Sequence, residues 1–162
     1  MKYIRDEIEQ IVKENRIDRS RFFEVSKQSY NQIKGNIEKV FVDKSKNRNK
    51  DIHWVNMGNY NTKLRCVCVA MEDWSSWKAE LISIIPSTDS VYVLFEDSKN
   101  YEPKYWLYES YINELIFILG EINGLDDFYI VSKKYDWLIS LNHHDVVSYI
   151  GNGLNLKEIE KQ

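Results

Sequence analysis

Two adjacent histidines and an aspartate, His143, His144 and Asp145, lie between the alternating apolar and polar runs WLISLN and VVSYIG. Imidazole and carboxylate groups bind metal ions and transfer protons, so these residues could form a catalytic or metal-binding site at the tip of a hairpin. Asn142 and Asp145 also favour turns, through side-chain hydrogen bonds to the nearby backbone. We interpret the segment first as a hairpin turn. A small enzyme or metal-binding protein centred on His143, His144 and Asp145 is the alternative.

Few other histidines or cysteines are present that could bind a metal ion. They are His53 and the pair Cys66 and Cys68. The spacing matches no zinc motif, and adjacent histidines point to opposite sides of an extended chain. Cysteines separated by one residue share a strand face, which is a poor arrangement for a disulfide between them. We expect both cysteines to be reduced, buried and inert, and we predict no metal site and no cofactor.

The sequence lacks the usual motifs of nucleophilic catalysis. It has no Gly-x-Ser-x-Gly elbow, no phosphate-binding glycine-rich loop and no HExxH, and it contains only 6 glycines. Glu96 and Asp97, at the end of a predicted strand, could act as paired carboxylates in acid and base catalysis. Acids at strand ends also serve solubility, so the sequence favours a protein that is not an enzyme.

Charge is distributed unevenly along the chain. The net charge is −3, yet residues 1–71 carry 15 basic and 9 acidic residues, whereas residues 72–127 carry 3 basic and 12 acidic residues. The acids of the middle segment could form a negative surface that attracts a basic partner. Alternatively, they are solubilising charges that the basic N-terminal helices neutralise.

Aromatic residues lie among these acids after the predicted strand Ser90–Glu96. Aromatic side chains beside charged groups often anchor protein interfaces. We therefore predict a binding site for a protein partner, formed by Glu96, Asp97, Tyr101, Glu102, Tyr105, Trp106 and Glu109. Alternatively, Tyr105 and Trp106 point inward and cap the helix that follows.

Nucleic acids and membranes are not expected as partners. Lys44, Lys46, Arg48 and Lys50, with Trp54, could contact phosphate, but the acidic middle segment would repel a nucleic acid. The N-terminal stretch MKYIRDEIEQIVKENR mixes acids with bases and is neither a signal peptide nor a membrane span. We expect a cytoplasmic protein. The sequence does not indicate its oligomeric state.

Length and composition predict one folded domain. The chain has 162 residues, of which 43% are hydrophobic, 29% charged and 14% aromatic. A chain of this size buries roughly 70% of the surface that it exposes when unfolded, so it needs no disulfide or metal for stability. We assign residues 1–155 to a single α+β domain and residues 156–162 to a polar C-terminal tail.

Apolar spacing and turn residues predict four helices and about six strands. The helices are expected over about residues 2–15, after an N-cap at Ser26, between Asp73 and Pro86, and from about Tyr108 to a stop at Gly124. The predicted strands are IHWVNM, LRCVCVA, SVYVLFE, DFYIVSK, WLISLN and VVSYIG. This irregular order predicts an α+β fold, with a mainly antiparallel sheet of about five to six strands and helices packed on one face.

The segments VYVLFED, PKYWLY and YDWLISLNHHDVVSYIG resemble those of an uncharacterised bacterial family of small α+β proteins. The resemblance covers roughly residues 50–153 and includes a C-terminal hairpin with the pattern Trp, five residues, His-His-Asp. More broadly, the chain is similar to the small acidic immunity proteins that bacteria encode beside polymorphic toxins. The resemblance implies a non-catalytic cytoplasmic protein that binds and neutralises a cognate toxin, often a basic nuclease.

Overall fold

A computed structural model describes residues 3–43, 45, 51–56, 58–97, 104–155 and 159. Among them, seven strands form one antiparallel sheet in the order β1-β4-β3-β5-β6-β7-β2. The strands are β1 (Phe22–Glu24), β2 (Cys66–Ala70), β3 (Ser90–Asp97), β4 (Lys104–Tyr111), β5 (Phe128–Ser132), β6 (Trp137–Leu141) and β7 (Val146–Gly151). The α+β class and the antiparallel pairing are confirmed, whereas the expected count of five to six strands is too low.

Helices cover both faces of the sheet. The described residues form α1 (Ile4–Glu14), α2 (Lys27–Phe41), α3 (His53–Asn56), α4 (Trp74–Ile84) and α5 (Ile112–Glu121). Buried residues of α1, α4 and α5 belong to one apolar cluster, and those of α2 and α3 belong to another. The expectation of helices on one face is therefore wrong.

The strands separate these two clusters because successive side chains of a strand point to opposite faces. In β3, Val91 and Val93 pack with α1, α4 and α5, whereas Leu94 packs with α2. In β5, Phe128 lies on the first face and Tyr129 on the second. A sheet that is covered on both sides explains why the central strands are apolar along nearly their whole length.

Two segments adopt a structure different from the predicted one. Lys104–Tyr111 is a strand that pairs with β3, and α5 begins only at Ile112. From Tyr108 onward the aromatic residues of this segment fit a helical period, but aromatic residues also favour extended backbone. Hydrogen bonding to β3 makes the segment a strand. The predicted strand around His53 is instead the short helix α3.

The C-terminal segment contains a residue of the core. Ile159 is 1% exposed and belongs to the cluster of α1, α4 and α5. At this position the structure therefore differs from the expected polar tail; the neighbouring positions 156–158 and 160–162 lie outside the described residues. No helix in the described part of the chain is long and apolar enough to cross a lipid bilayer.

Candidate functional site

The residues of the predicted partner-binding site do not form one exposed surface. Glu96 and Asp97 are 3% and 5% exposed, because both belong to β3 rather than to a loop. As neighbours in a strand they point to opposite faces. The Asp97 carboxylate accepts a hydrogen bond from the backbone N–H of Ile4 (3.3 Å) and one from Trp106 Nε1 (3.4 Å) on the α1 side. Glu96 and Asp97 thus do not form a carboxylate pair for catalysis.

The other members of that predicted site also lie apart. Tyr105 is 3% exposed and faces α2, as the inward alternative predicts, whereas Trp106 is half-buried on the opposite face. Glu109 forms an ion pair with Lys133. Tyr101 and Glu102 lie outside the described residues, so their part in binding remains a prediction.

Several acids of residues 72–127 are buried or paired in the described part of the chain. Besides the buried Glu96 and Asp97, Asp127 is 2% exposed, and Glu114 pairs with Arg21 at 2.5 Å. The basic residues that were considered for phosphate contact, Lys44, Lys46, Arg48 and Lys50, fall outside the described part of the chain. The binding of a basic toxin remains a prediction, and the exposed acids of this segment among the described residues are Glu72, Asp73, Asp89, Glu121 and Asp126.

At one end of the sheet, the fold gathers three carboxylates and two histidines on the α2 side. We name Asp51, His53, Glu96, Asp127 and His143 the carboxylate–histidine cluster. Glu96 is the penultimate residue of β3, and Asp127 immediately precedes β5. These two strands pair, and the backbone N–H of Glu96 donates to the carbonyl of Asp127 at 3.0 Å, which places two buried carboxylates side by side.

The segment Asp51–Asn56 covers these carboxylates. His53 Nδ1 lies 2.7 Å from Glu96 Oε1. The backbone N–H of His53 donates to Asp51 Oδ1 at 3.0 Å, so Asp51 fixes the first turn of α3. Tyr105 donates its hydroxyl proton toward Asp51 at 2.5 Å and also lies 3.2 Å from Glu96. One hydroxyl proton is therefore shared between two carboxylates.

The His-His-Asp hairpin contributes to the cluster from the other side. Its turn has the predicted form, because the Asn142 side chain accepts hydrogen bonds from the backbone N–H groups of His144 and Val146. His143 donates its backbone N–H to Asp127 at 2.9 Å, and its Nδ1 lies 3.0 Å from the same oxygen. All three residues are exposed, and among the described contacts His143 is the one of the three that reaches a carboxylate of the cluster.

The charges of the cluster are only partly compensated. Burial raises the pKa of Glu96, and the negative charge of Asp127 adds to this effect, although His53 opposes it. Lys34 lies 3.5 Å from Asp51 but also pairs with Glu38 at 2.8 Å. With neutral histidines, the three carboxylates of the cluster exceed the nearby positive charge among the described residues. Such a site attracts a cation.

A buried hydroxyl group at the cluster lacks a partner. Tyr129 is fully buried, and its hydroxyl oxygen has no hydrogen-bond partner among the described residues. Its pKa is raised, first by burial and then by the charges of Glu96, Asp127 and Asp51. The Asn56 side chain interacts weakly with this hydroxyl and opposes the rise in its pKa.

The geometry suits a divalent metal ion. One nitrogen of His53 and one carboxylate oxygen each from Glu96 and Asp127 all lie within 4.8 Å of one another. Ligand atoms bound at about 2.1 Å to one ion are separated by about 3–4 Å, so small side-chain rotations would bring the three together. His143 lies beside Asp127 and hydrogen-bonds to this ligand, as outer-shell residues of metal sites do.

Local sequence patterns do not predict this arrangement. Its ligands are separated by 31 residues or more along the chain, and they meet because β3 pairs with β5 and the β6–β7 turn reaches Asp127. The sequence supplies a partial signal, since His53 is a possible ligand, Glu96 pairs with Asp97 as a candidate acid and base, and His143 belongs to the His-His-Asp hairpin. The rings of His143 and His144 lie at a centroid distance of 4.0 Å with an interplanar angle of 46°, so the two side chains do not point to opposite sides.

The cysteines also differ from expectation. Both side chains lie on the same face of β2, as predicted, but Cys66 is half-buried and Cys68 is exposed. The strand is the edge of the sheet, which leaves its outer side without a neighbouring strand among the described residues. The expectation that both thiols are buried is wrong.

The chain belongs to a family of unknown function (DUF6756), whose model matches residues 1–161. The resemblance to an uncharacterised family is thus confirmed, and it extends over α1 and α2 as well as the segment from residue 50 to 153. Neither the curated proteins nor the solved structures contain a significant match to the chain. The comparisons add no support for a relation to immunity proteins.

Proposed function

We propose that the protein binds a divalent metal ion at the carboxylate–histidine cluster, with His53, Glu96 and Asp127 as the protein ligands. The observation that carries this proposal is the convergence of one imidazole nitrogen and two carboxylate oxygens within 4.8 Å. Both carboxylates are almost fully buried, whereas the His53 side chain is 34% exposed and leaves a route from solvent.

Buried charge supports a metal ion over a purely structural cluster. A carboxylate inside a protein requires a counter-charge, and a divalent ion supplies it to both Glu96 and Asp127 at once. The alternative is a cluster of two ion pairs, His53 with Glu96 and His143 with Asp127, in which both histidines are protonated and both carboxylates are ionised. Metal titration distinguishes the two arrangements, because a cluster of ion pairs alone binds no ion.

The donor set indicates the class of ion and of chemistry. Imidazole with carboxylates suits Zn²⁺, Mn²⁺ or Fe²⁺ better than Ca²⁺, which takes oxygen ligands only. An ion held by three protein ligands keeps a position open for water or a substrate oxygen, as catalytic sites do. We therefore propose a metal-dependent reaction in which the ion lowers the pKa of a bound water. Tyr105 and Tyr129, at the same site, are suited to donate hydrogen bonds to it.

A thermal-shift comparison of ions and variants tests metal binding. The metal-free wild-type protein is heated alone and with Zn²⁺, Mn²⁺, Fe²⁺ (under anaerobic conditions) or Ca²⁺. We expect at least one of the first three to raise Tm by several degrees, because an ion at 100 times its Kd adds about 2.7 kcal/mol to the free energy of unfolding. The variants His53→Ala and Asp127→Asn are expected to lose the shift.

Matched variants separate the site from general surface binding. His144→Ala removes an exposed histidine next to the site, and Asp126→Asn removes the carboxylate adjacent in sequence to Asp127. Both are expected to keep the metal-induced shift. If no ion raises Tm, or if all four variants respond like the wild type, the metal site does not exist.

Binding of a protein partner is a second candidate function, and the environment of Trp106 favours it. The half-buried Trp106 ring lies 5.9 Å from the ring of Tyr3, and the cations of Arg5 and Lys104 lie 5.9 Å and 4.5 Å from its centroid. Trp106 also borders a groove of about 500 Å³ that includes Lys27. A toxin-neutralising immunity protein is one form of this proposal. Arg5 pairs with Glu24 of the same groove at 2.8 Å, so Lys27 and Lys104 are the cations that favour an acidic partner surface.

Affinity capture tests the second candidate. The protein is co-expressed with the product of the neighbouring reading frame and purified, as wild type and as Trp106→Ala. Loss of a captured partner in Trp106→Ala, with retention in Phe117→Ala on the exposed side of α5, supports binding at Trp106. Capture that is equal in all three proteins, or no capture at all, removes this candidate.

A further inference from the structure

The two thiols of β2 lie in direct contact on the surface of the protein. Cys66 Sγ and Cys68 Sγ are 3.6 Å apart, and the Ser148 hydroxyl on the neighbouring strand β7 lies 3.3 Å from Cys68 Sγ. These contacts follow from the register, which places Ser148 directly opposite Cys68. They concern neither the metal ligands nor the groove at Trp106.

This arrangement makes the two thiols chemically different. A hydrogen bond from Cys66, followed by one from Ser148, lowers the pKa of Cys68 to about 6, although burial opposes the shift. The same contact with Cys68 raises the pKa of Cys66. The other titratable group facing the pair is Tyr60, whose own pKa is raised chiefly by its electrostatic interaction with Cys66. At neutral pH, Cys68 is therefore the nucleophile and Cys66 retains its proton.

We propose that Cys66 and Cys68 form a reversible redox site, at which a hydroperoxide oxidises Cys68 and Cys66 then closes a disulfide. In the first step the Cys68 thiolate attacks the peroxide, forms an S–O bond and breaks the O–O bond, which yields a sulfenic acid. The departing alkoxide or hydroxide takes a proton from solvent and leaves as an alcohol or water. In the second step the Cys66 sulfur attacks the sulfenic sulfur, and its proton leaves with the hydroxyl group as water.

The fold permits this closure and makes it reversible. The sulfurs must approach from 3.6 Å to about 2.05 Å, which requires movement of the backbone between them. β2 is at the sheet edge, so it can distort while losing hydrogen bonds to β7 alone. A disulfide that is strained and exposed is easily reduced, so a small dithiol is expected to restore the thiols.

Intact-mass measurement of the folded protein with hydrogen peroxide tests the site. We expect the wild type to lose about 2 Da, the mass of two hydrogen atoms, and to regain it with a dithiol reductant. Cys66→Ser should instead accumulate a sulfenic acid on Cys68 that a cyclic diketone traps. Cys68→Ser should react at least about tenfold more slowly, because Cys66 remains a neutral thiol.

Alkylation supplies a second readout that does not depend on disulfide closure. The rate at which iodoacetamide modifies Cys68 is expected to rise with pH around a midpoint near 6 in the wild type. In Cys66→Ser that midpoint should move upward if the serine hydroxyl replaces the thiol hydrogen bond only weakly. Equal reactivity of the two cysteines, a midpoint near 8.5 in the wild type, or oxidation only to disulfides between molecules would each overturn the proposal.

Discussion

Glu96 carries its charge at a cost to the stability of the metal-free protein. Because its pKa is raised in the folded state, its contribution to stability is present below about 4.5, the ordinary value, and is lost as pH rises through the folded pKa. Burial is the main cause of this shift. When it is ionised, this carboxylate therefore destabilises the metal-free protein. Buried groups of this kind are common at functional sites.

Glu96→Gln is expected to stabilise the metal-free protein at pH 7 by roughly 0.5–2 kcal/mol, because it removes a buried charge without changing the side-chain shape. The gain should vanish at about pH 4, where glutamate is protonated in both states. Urea denaturation at the two pH values measures both quantities. A variant that is less stable than the wild type at pH 7 would show that the ion pair with His53 is structural.

Tyr129 and Tyr149 form a matched pair of buried tyrosines. Tyr149 donates to Glu80 at 2.9 Å and accepts from Trp77 Nε1 at 3.1 Å, whereas the hydroxyl of Tyr129 is unpaired among the described residues. Tyr149→Phe should lower the free energy of unfolding by about 1–3 kcal/mol, since it leaves buried groups unsatisfied. Tyr129→Phe should leave it within about 0.5 kcal/mol in the absence of metal. A large loss on Tyr129→Phe would mean that its hydroxyl is already satisfied.

At the scale of single elements, two glycines have opposite roles. Gly151 ends β7 with a φ of +111°, and a Cβ atom there would lie 2.2 Å from the carbonyl oxygen of Asp136. Gly35 lies inside α2, where a Cβ would meet nothing within 4 Å. A side chain at Gly151 would therefore clash with the backbone, whereas α2 can accept a side chain at Gly35.

Chemical denaturation of two alanine variants tests this contrast. Gly151→Ala should lose more than about 3 kcal/mol of stability, because the backbone of the β6–β7 pair must shift. Gly35→Ala should gain about 0.5–1 kcal/mol from the higher helix propensity of alanine. If Gly151→Ala is as stable as the wild type, the backbone of Gly151 does not lie as close to the carbonyl oxygen of Asp136 as described.

The elements that sequence predicted well are those with local signals. The stripe Ile4, Ile8, Ile11 and Val12 marked α1, and Asp73 caps α4 by accepting from the backbone N–H of Ser76 at 2.8 Å. Lys104–Tyr111 was mistaken for loop and helix because its strand character depends on pairing with β3. Local spacing carries no information about a partner strand.

In the whole molecule, the carboxylate–histidine cluster depends on the strand order of the sheet, which the sequence pattern does not predict. Glu96 and Asp127 become neighbours through the pairing of β3 with β5, which are separated in the chain by β4 and α5. His53 reaches them because Asp51–Asn56 packs on the α2 side, a face on which no helix had been expected. The sequence predicts helices on one face of the sheet. A cluster that forms under helices on the second face could therefore not be predicted from it.

The C-terminal segment tests how far the core extends. Ile159 is 1% exposed within the core, whereas Ile82 on α4 is 50% exposed. Ile159→Ala should lower the free energy of unfolding by about 2–5 kcal/mol, and Ile82→Ala should change it by at most about 0.5 kcal/mol. Urea denaturation compares the two variants. Equal, small effects would show that residues 156–162 are the polar tail that composition predicts.

Isothermal titration calorimetry of the metal-free protein tests the central claim most directly. The wild type is titrated with Zn²⁺ and with Mn²⁺, beside Glu96→Gln and the control Glu109→Gln, whose carboxylate pairs with Lys133 on another part of the sheet. The account predicts one equivalent of at least one ion bound by the wild type and by Glu109→Gln, with affinity lost in Glu96→Gln. No binding of either ion by the wild type, or unchanged binding by Glu96→Gln, would contradict it.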